Sequence, residues 1–173
     1  MGQERTGAVT MRGNPLTLIG PELRPGDTAP QVTLLDPRMQ EVTIGPSAKV
    51  RIVSVVPSLD TPVCDIQTKR FNEEGSKVAG TVEILTVSAD LPFAQARWAS
   101  ATISDAISFL SDHRAMAFGD AYGTHIKELR LDARAIFVID RSGRIVHAEY
   151  VKEITEQPDY DAAISAAKKA GGS

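Results

Sequence analysis

The sequence predicts an α/β fold in which helices cover both faces of a mixed β-sheet. Three segments, residues 50–56, 82–87 and 135–139, are almost continuously apolar and rich in β-branched side chains. Such segments are typical of strands buried on both faces of a sheet. A predicted helix follows each of the first two, and strands that alternate with helices predict a sheet sandwiched between helical layers.

A β-hairpin is predicted before the first buried strand. Residues 9–11 and 16–19 are short apolar segments, and the turn-forming sequence Gly13-Asn14-Pro15 lies between them. Residues 1–8 lack an apolar stretch and are predicted to be loose. The hairpin is therefore expected to form an N-terminal extension of the domain.

The first helix is predicted to begin just after the first buried strand. Thr61 is a favourable N-cap residue, and Pro62 suits the first helical position. Apolar residues then recur at near-helical spacing until Gly80. Cys64 becomes the third residue of this helix.

The remaining predicted elements complete a thioredoxin-like fold. They are strands at 32–35, 42–44, 107–110 and 145–150, and helices at 92–99, 117–122 and 158–171. The predicted order is a β-hairpin, then βαβα, then ββα, and a βαβ unit followed by ββα is the layout of that fold. The length of 173 residues suits a single domain that spans residues 1–173.

Composition excludes several classes of function. The net charge of −3 is unfavourable for a nucleic-acid partner. A single cysteine forms no internal disulfide and fits a reducing compartment. The first residues lack the apolar stretch of a secretory signal, and no segment is long enough to span a bilayer. We therefore expect a soluble cytoplasmic protein without a membrane partner.

Neither a cofactor nor a metal is predicted. The chain has no glycine-rich nucleotide-binding motif. Its histidines, His113, His125 and His147, are scattered without metal-ligand spacing.

Cys64 is the residue with the strongest potential for chemistry. The unpaired N–H groups and the macrodipole at a helix N-terminus favour an anion there, and the thiolate is the nucleophilic form of cysteine. A lone cysteine is also often a small buried apolar residue. Position and periodicity leave both interpretations open.

The motif around this cysteine resembles that of the peroxiredoxins. It reads Pro57-x-x-x-Thr61-x-x-Cys64, and flanking blocks are similar to those of the bacterial thiol peroxidase subfamily. These blocks are Gly13-Asn14-Pro15, Ser88-Ala89-Asp90-Leu91-Pro92-Phe93-Ala94-Gln95, Ala133-Arg134-Ala135, Glu153-Ile154-Thr155 and Pro158-Asp159-Tyr160.

The resemblance implies a role for each motif residue. Cys64 is expected to attack a peroxide oxygen and become a sulfenic acid. Thr61 is expected to donate a hydrogen bond to the thiolate or the peroxide, Pro57 to shield the pocket, and Arg134 to supply positive charge beside the sulfur. Without the resemblance, Arg134 would be interpreted as a solvated charge at the end of a strand.

The resemblance also implies an activity and its partners. The substrates would be hydrogen peroxide and organic hydroperoxides, with antioxidant defence as the purpose. The reductant would be thioredoxin or a low-molecular-weight thiol, and the protein would be a homodimer.

The sequence departs from the subfamily at the resolving cysteine. That residue usually follows the Leu-Pro-Phe-Ala-Gln segment, and Ala99 stands at its position. The chain is either a natural one-cysteine member reduced by an external thiol or one in which Ala99 is an engineered replacement. The neighbouring Ser100-Ala101-Thr102 also differs from the usual sequence, which favours natural divergence.

Two further hypotheses stand beside the peroxidase. One is a redox sensor on the same fold, in which Cys64 forms a mixed disulfide with a partner without efficient turnover. The other is a binding module whose cysteine is buried and inert.

Overall fold

A computed structural model describes residues 2–102 and 105–171, and within them a seven-stranded mixed sheet is flanked by helices. The strands are β1 (Glu4–Met11), β2 (Asn14–Ile19), β3 (Val32–Leu35), β4 (Glu41–Ile44), β5 (Val50–Val55), β6 (Val82–Ser88), β7 (Ser108–Ser111), β8 (His125–Ile126), β9 (Leu131–Asp132), β10 (Ala135–Ile139) and β11 (Ile145–Tyr150). The helices are α1 (Pro62–Val78), α2 (Pro92–Thr102), α3 (Ala117–Tyr122) and α4 (Tyr160–Ala170).

The large sheet has the strand order β11-β10-β5-β6-β7-β3-β4. Strands β5, β6 and β7 are parallel, and the remaining neighbours are antiparallel. Alternate residues of each strand point to opposite faces. Ile52, Ile84 and Ile136 belong to the core that packs against α1, α2 and α4, whereas Val53 and Leu85 belong to the core that contains α3. The predicted thioredoxin-like arrangement is thereby confirmed.

The N-terminal hairpin exists, but it begins earlier than predicted. Strand β1 starts at Glu4, so the prediction of a loose segment through residue 8 is wrong for Glu4 onward. The Arg5 guanidinium donates to the carbonyl oxygens of Gly20 (3.0 Å) and Gly123 (2.5 Å). Pairing with β2 and the hydrogen bonds of Arg5 hold this segment in place. Its sequence lacks an alternation of apolar and polar residues, which is why no strand was predicted there.

A second sheet joins the hairpin to the middle of the chain. Within the described residues its order is β1-β2-β8-β9. Strands of two residues, such as β8 and β9, carry no periodic signal, and the sequence did not predict them. A small core of buried residues lies under this sheet, made of Val9, Leu18, Ile126, Ala133 and Ile154.

The terminal helix begins two residues later than predicted. Helix α4 starts at Tyr160, because Asp159 is its N-cap and its side chain accepts a hydrogen bond from the backbone N–H of Ala162 (3.0 Å). Pro158 precedes the cap.

Two buried carboxyl groups, Asp112 and Asp132, lie close together beside α3 and β9. The Asp112 carboxylate accepts hydrogen bonds from the N–H groups of Phe118 and Gly119, each 2.9 Å long. Asp132 is fully buried and accepts a bond from the Thr124 hydroxyl (2.8 Å). Burial, followed by the charge of Asp112, raises the pKa of Asp132 well above its usual range.

This pair makes the stability of the protein depend on pH. Below pH about 4 the Asp132 carboxyl is protonated in both the folded and the unfolded chain. As the pH rises, Asp132 loses its proton first in the unfolded chain, so the native state then binds more protons than the unfolded state. The free energy of unfolding therefore falls with pH until the pH passes the pKa of Asp132 in the folded protein. Asp132→Asn should flatten this decline and raise the free energy of unfolding at pH 8 by about 1–3 kcal/mol, because an amide is neutral at every pH.

Urea unfolding of the two proteins at pH 5 and pH 8 measures the effect. Asp161→Asn is the control, since that side chain is 94% exposed. Equal pH dependence in the wild type and Asp132→Asn would contradict the prediction.

Candidate active site

Cys64 lies in the first turn of α1, as predicted. Strand β5 ends at Val55, and Pro62 opens the helix. The backbone of Thr61 is extended (φ −108°), and its carbonyl oxygen accepts the first helical hydrogen bond from Asp65 N–H (3.0 Å). Cys64 is thus the third helical residue, where unpaired N–H groups favour an anion.

Arg134 contacts this cysteine, although the two residues are 70 positions apart in the sequence. It lies between β9 and β10, and its Nη2 donates to the Sγ atom of Cys64 at 3.3 Å. The cysteine is fully buried and the arginine is 2% exposed. The structure therefore contradicts the interpretation of Arg134 as a solvated strand-end charge. A cation beside the sulfur, with little water to screen it, stabilises negative charge there.

Other hydrogen bonds fix the guanidinium in place. Nε and Nη2 donate to the carbonyl oxygen of Ile154 (3.0 and 2.8 Å), and Nη1 donates to Gln67 Oε1 (2.8 Å). Gln67 Nε2 in turn donates to Ser54 Oγ on β5 (2.8 Å). These partners offset the cost of burying the charge and hold it in one position.

A pocket of about 350 Å³ opens onto this cluster. Arg134 lines it together with two exposed or half-buried elements, the start of α1 and the hairpin turn. The other lining side chains are mainly apolar: Met11, Pro57, Pro62, Val63, Leu129, Leu131 and Ile154, with Arg12, Ser58, Thr61 and Thr155 as the polar ones.

Pro57 and Thr61 both line the pocket. Pro57 is buried and brings no N–H group to the wall. Thr61 is exposed, and its hydroxyl donates to the carbonyl oxygen of Ser58 (2.9 Å). The predicted donation from Thr61 to the sulfur or the substrate stays a prediction.

Sequence reasoning missed Gln67 and the Ile154 carbonyl. Gln67 is a fully buried polar residue on the inner face of α1. A glutamine one turn after the cysteine, on the same buried face as Phe71, was the signal available for it. A backbone carbonyl that accepts a side-chain bond has no signature in the sequence.

Ala99 lies on α2 and packs against the same core as Cys64. The neighbouring Trp98 is 9% exposed, and its Nε1 donates to Asp65 Oδ1 (3.0 Å). Lys69 donates to the other oxygen of Asp65 (2.7 Å). The bond from Trp98 joins α2, on which Ala99 lies, to the first turn of α1.

Among the described residues, no group of three or more His, Cys, Asp or Glu side chains is placed to hold a metal ion. In the same residues, no helix has the length and apolarity needed to cross a membrane.

A thioredoxin-like sheet with a helix-N-terminal cysteine and an arginine against its sulfur defines the peroxiredoxin class. The chain belongs to the Redoxin family, whose model matches residues 24–164. The resemblance inferred from the motifs is thereby confirmed.

The curated relatives are thiol peroxidases of similar length. Thiol peroxidase of Bacillus subtilis (strain 168) is 53% identical over 161 residues, which cover 92% of this chain and 96% of the relative. Thiol peroxidase of Staphylococcus aureus (strain MRSA252) is 49% identical over 161 residues and covers 92% and 97% of the two chains.

Solved structures have the same fold. A peroxiredoxin-like protein from Aquifex aeolicus superposes with a TM-score of 0.89 at 39% identity, covering 96% of this chain and 97% of that one. Thiol peroxidase from Chromobacterium violaceum gives 0.82 at 19% identity over 95% and 97%, a likeness that shows the fold alone.

Proposed function

We propose that the protein is a thiol-dependent peroxidase that reduces hydroperoxides through a sulfenic acid at Cys64. The observation that carries this proposal is the Arg134 guanidinium, which donates to the Cys64 sulfur at 3.3 Å in the first turn of α1. The thiol peroxidases at about 50% identity over nearly the whole chain support it.

The first half-reaction oxidises the sulfur by two electrons. The Cys64 thiolate attacks the terminal oxygen of a hydroperoxide, an S–O bond forms, and the O–O bond breaks. The electron pair of that bond leaves with the distal oxygen as an alkoxide or hydroxide, which takes up a proton from solvent. The products are the sulfenic acid and an alcohol or water.

The pocket residues serve this transition state. Arg134 stabilises the charge that develops on the peroxide oxygens, and because it is already fixed in position it does not have to reorganise. Thr61 and Pro57 line the pocket. In this proposal the Thr61 hydroxyl hydrogen-bonds the peroxide, and Pro57 limits the entry of water to the sulfur.

The second half-reaction needs thiols from outside the chain. A first external thiol condenses with the sulfenic acid, so that an S–S bond forms and water leaves. A second thiol attacks the outer sulfur and releases Cys64 as the thiolate. We propose thioredoxin or a low-molecular-weight thiol for this step, acting in the cytoplasm on a homodimer.

A redox sensor is the second candidate function. The presence of one cysteine favours it, since no thiol in the chain completes the cycle. A sensor would stop at a mixed disulfide with a partner, whereas a peroxidase turns over repeatedly.

Steady-state peroxide consumption separates these two functions. With cumene hydroperoxide and a thioredoxin system, or a small thiol in its place, we expect many turnovers per subunit. Mild peroxide without reductant should add one oxygen to Cys64, trapped by dimedone and measured by mass spectrometry. One turnover and a stable adduct would indicate the sensor, and an unmodified thiol would contradict both.

A further inference from the structure

Arg12 has a backbone conformation that disfavours a large side chain. With Gly13 it forms the two-residue turn between β1 and β2, which the pair Met11 and Asn14 closes. The φ angles of the two turn residues are 51° and 81°. Such hairpin turns strongly favour Asn, Asp or Gly at both positions. An arginine at this place costs stability, and an outlier of this kind beside a site is a reason to look for function.

The guanidinium of Arg12 has no hydrogen-bond or ion-pair partner within residues 2–102 and 105–171. The carboxylate that anchors this turn, Glu153, is occupied by other donors. Its Oε1 accepts bonds from Gly13 N–H (2.9 Å) and Thr10 Oγ1 (3.0 Å), and its Oε2 accepts two from Thr155 (3.0 and 2.6 Å). The bonds from Thr155, Gly13 and Thr10 lower the pKa of Glu153 to about 2. The turn is therefore held firmly, while its cation stays available.

Arg12 and Arg134 line the same pocket at different depths. Arg134 is 2% exposed and bonded to the sulfur, whereas Arg12 is exposed at the hairpin turn. The wall that they share is apolar and consists mainly of Met11, Val63, Leu129, Leu131 and Ile154. A ligand that fits this pocket is apolar along its length and anionic at the end away from the sulfur.

We propose that Arg12 binds the carboxylate of an organic hydroperoxide whose hydrocarbon chain lies on this apolar wall and whose peroxide group reaches Cys64. The inference rests on the proposed function and adds a specificity-determining residue to it. A guanidinium suits a carboxylate because its planar fork donates two parallel hydrogen bonds.

Binding of unreactive analogues tests the role of Arg12 without any turnover. Calorimetry would compare decanoate with 1-decanol on the full chain and on Arg12→Asn. We expect decanoate binding to weaken roughly three- to tenfold, the fold-change that the usual net free energy of one hydrogen bond gives, and decanol binding to change less than twofold. Arg38→Asn is the matched control, because it removes the same charge from another exposed turn residue.

The Arg12→Asn variant also tests whether the positive φ angle at residue 12 destabilises the folded protein. Because asparagine tolerates positive φ better than arginine, Arg12→Asn should unfold at the same temperature as the wild type or a higher one. Equal weakening of decanoate and decanol, no weakening of either, or equal weakening by Arg38→Asn would each overturn the proposal.

Steady-state kinetics then tests whether carboxylate binding by Arg12 affects peroxide reduction. A fatty-acid hydroperoxide and its methyl ester differ only in the carboxylate charge. We expect Arg12→Asn to lower the acid-to-ester ratio of kcat/KM by roughly three- to tenfold and Arg12→Lys to restore part of it. An unchanged ratio would overturn the proposal. If no hydroperoxide is consumed with any thiol, the proposed function is wrong, and the decanoate result still decides whether Arg12 binds a carboxylate.

Discussion

Cys64→Ser should abolish peroxide reduction, with a loss of at least about 10⁴-fold in kcat/KM. A serine hydroxyl is not ionised at neutral pH and does not transfer electrons to a peroxide as sulfur does. The smaller oxygen still accepts a hydrogen bond from Arg134, so the buried cation keeps a partner and the fold should persist. Peroxide consumption under steady-state conditions measures the loss.

The chain has one cysteine, so a reversible chemical block is the appropriate control for this variant. Methyl methanethiosulfonate should inactivate the wild type to the same degree, and dithiothreitol should restore it. A guanidinium unfolding curve within about 1 kcal/mol of the wild type would show that the serine variant is folded. Peroxide reduction by that variant at a rate near the wild type would rule out Cys64 as the nucleophile.

Arg134→Lys should lower the rate of sulfenic acid formation by about 10²–10³-fold, the usual effect of removing one preorganised donor from a developing oxyanion. Lysine keeps the charge but loses the planar fork that reaches Cys64, Gln67 and Ile154 together. Stopped-flow oxidation by hydrogen peroxide measures the effect in a single turnover, independently of the reductant.

Arg130→Lys is the matched control, since Arg130 is exposed and its guanidinium donates a long, 3.5 Å bond to the carbonyl oxygen of His113. The same chemical change there should leave the oxidation rate unchanged. Arg134→Lys also leaves buried acceptors without donors, so its unfolding free energy should fall by about 1–3 kcal/mol. A normal oxidation rate in a destabilised variant would limit Arg134 to a structural role.

Local sequence signals predicted the elements that position the cysteine. The apolar segment of β5, the cap at Thr61 and the proline at position 62 act over a few neighbouring residues, and the structure places α1 where they predicted it. The same kind of signal failed for β1 before Val9 and for β8 and β9, because those strands are ordered by backbone pairing and by the Arg5 anchor.

No local sequence signal predicted the environment of Arg134. Its sequence neighbours, Ala133 and Ala135, give no indication that a charge between them is buried. Burial follows from the junction of β9, β10 and the segment at Ile154, together with Gln67 of α1. These partners come from distant parts of the chain, so no local pattern predicts them; only the resemblance pointed to this arginine.

The sequence by itself determined the α/β class, the start of α1 and the single cysteine at its third position, since capping, periodicity and composition are local properties. It also shows that the chain has no second cysteine to complete the proposed cycle, because residue counts need no structure. Only the tertiary structure decided that a buried guanidinium contacts the sulfur, that Gln67 and Ile154 hold it, and that Arg12 faces the same pocket. The reason is physical: these contacts join residues that are far apart along the chain, and the packing of the two sheets brings them together.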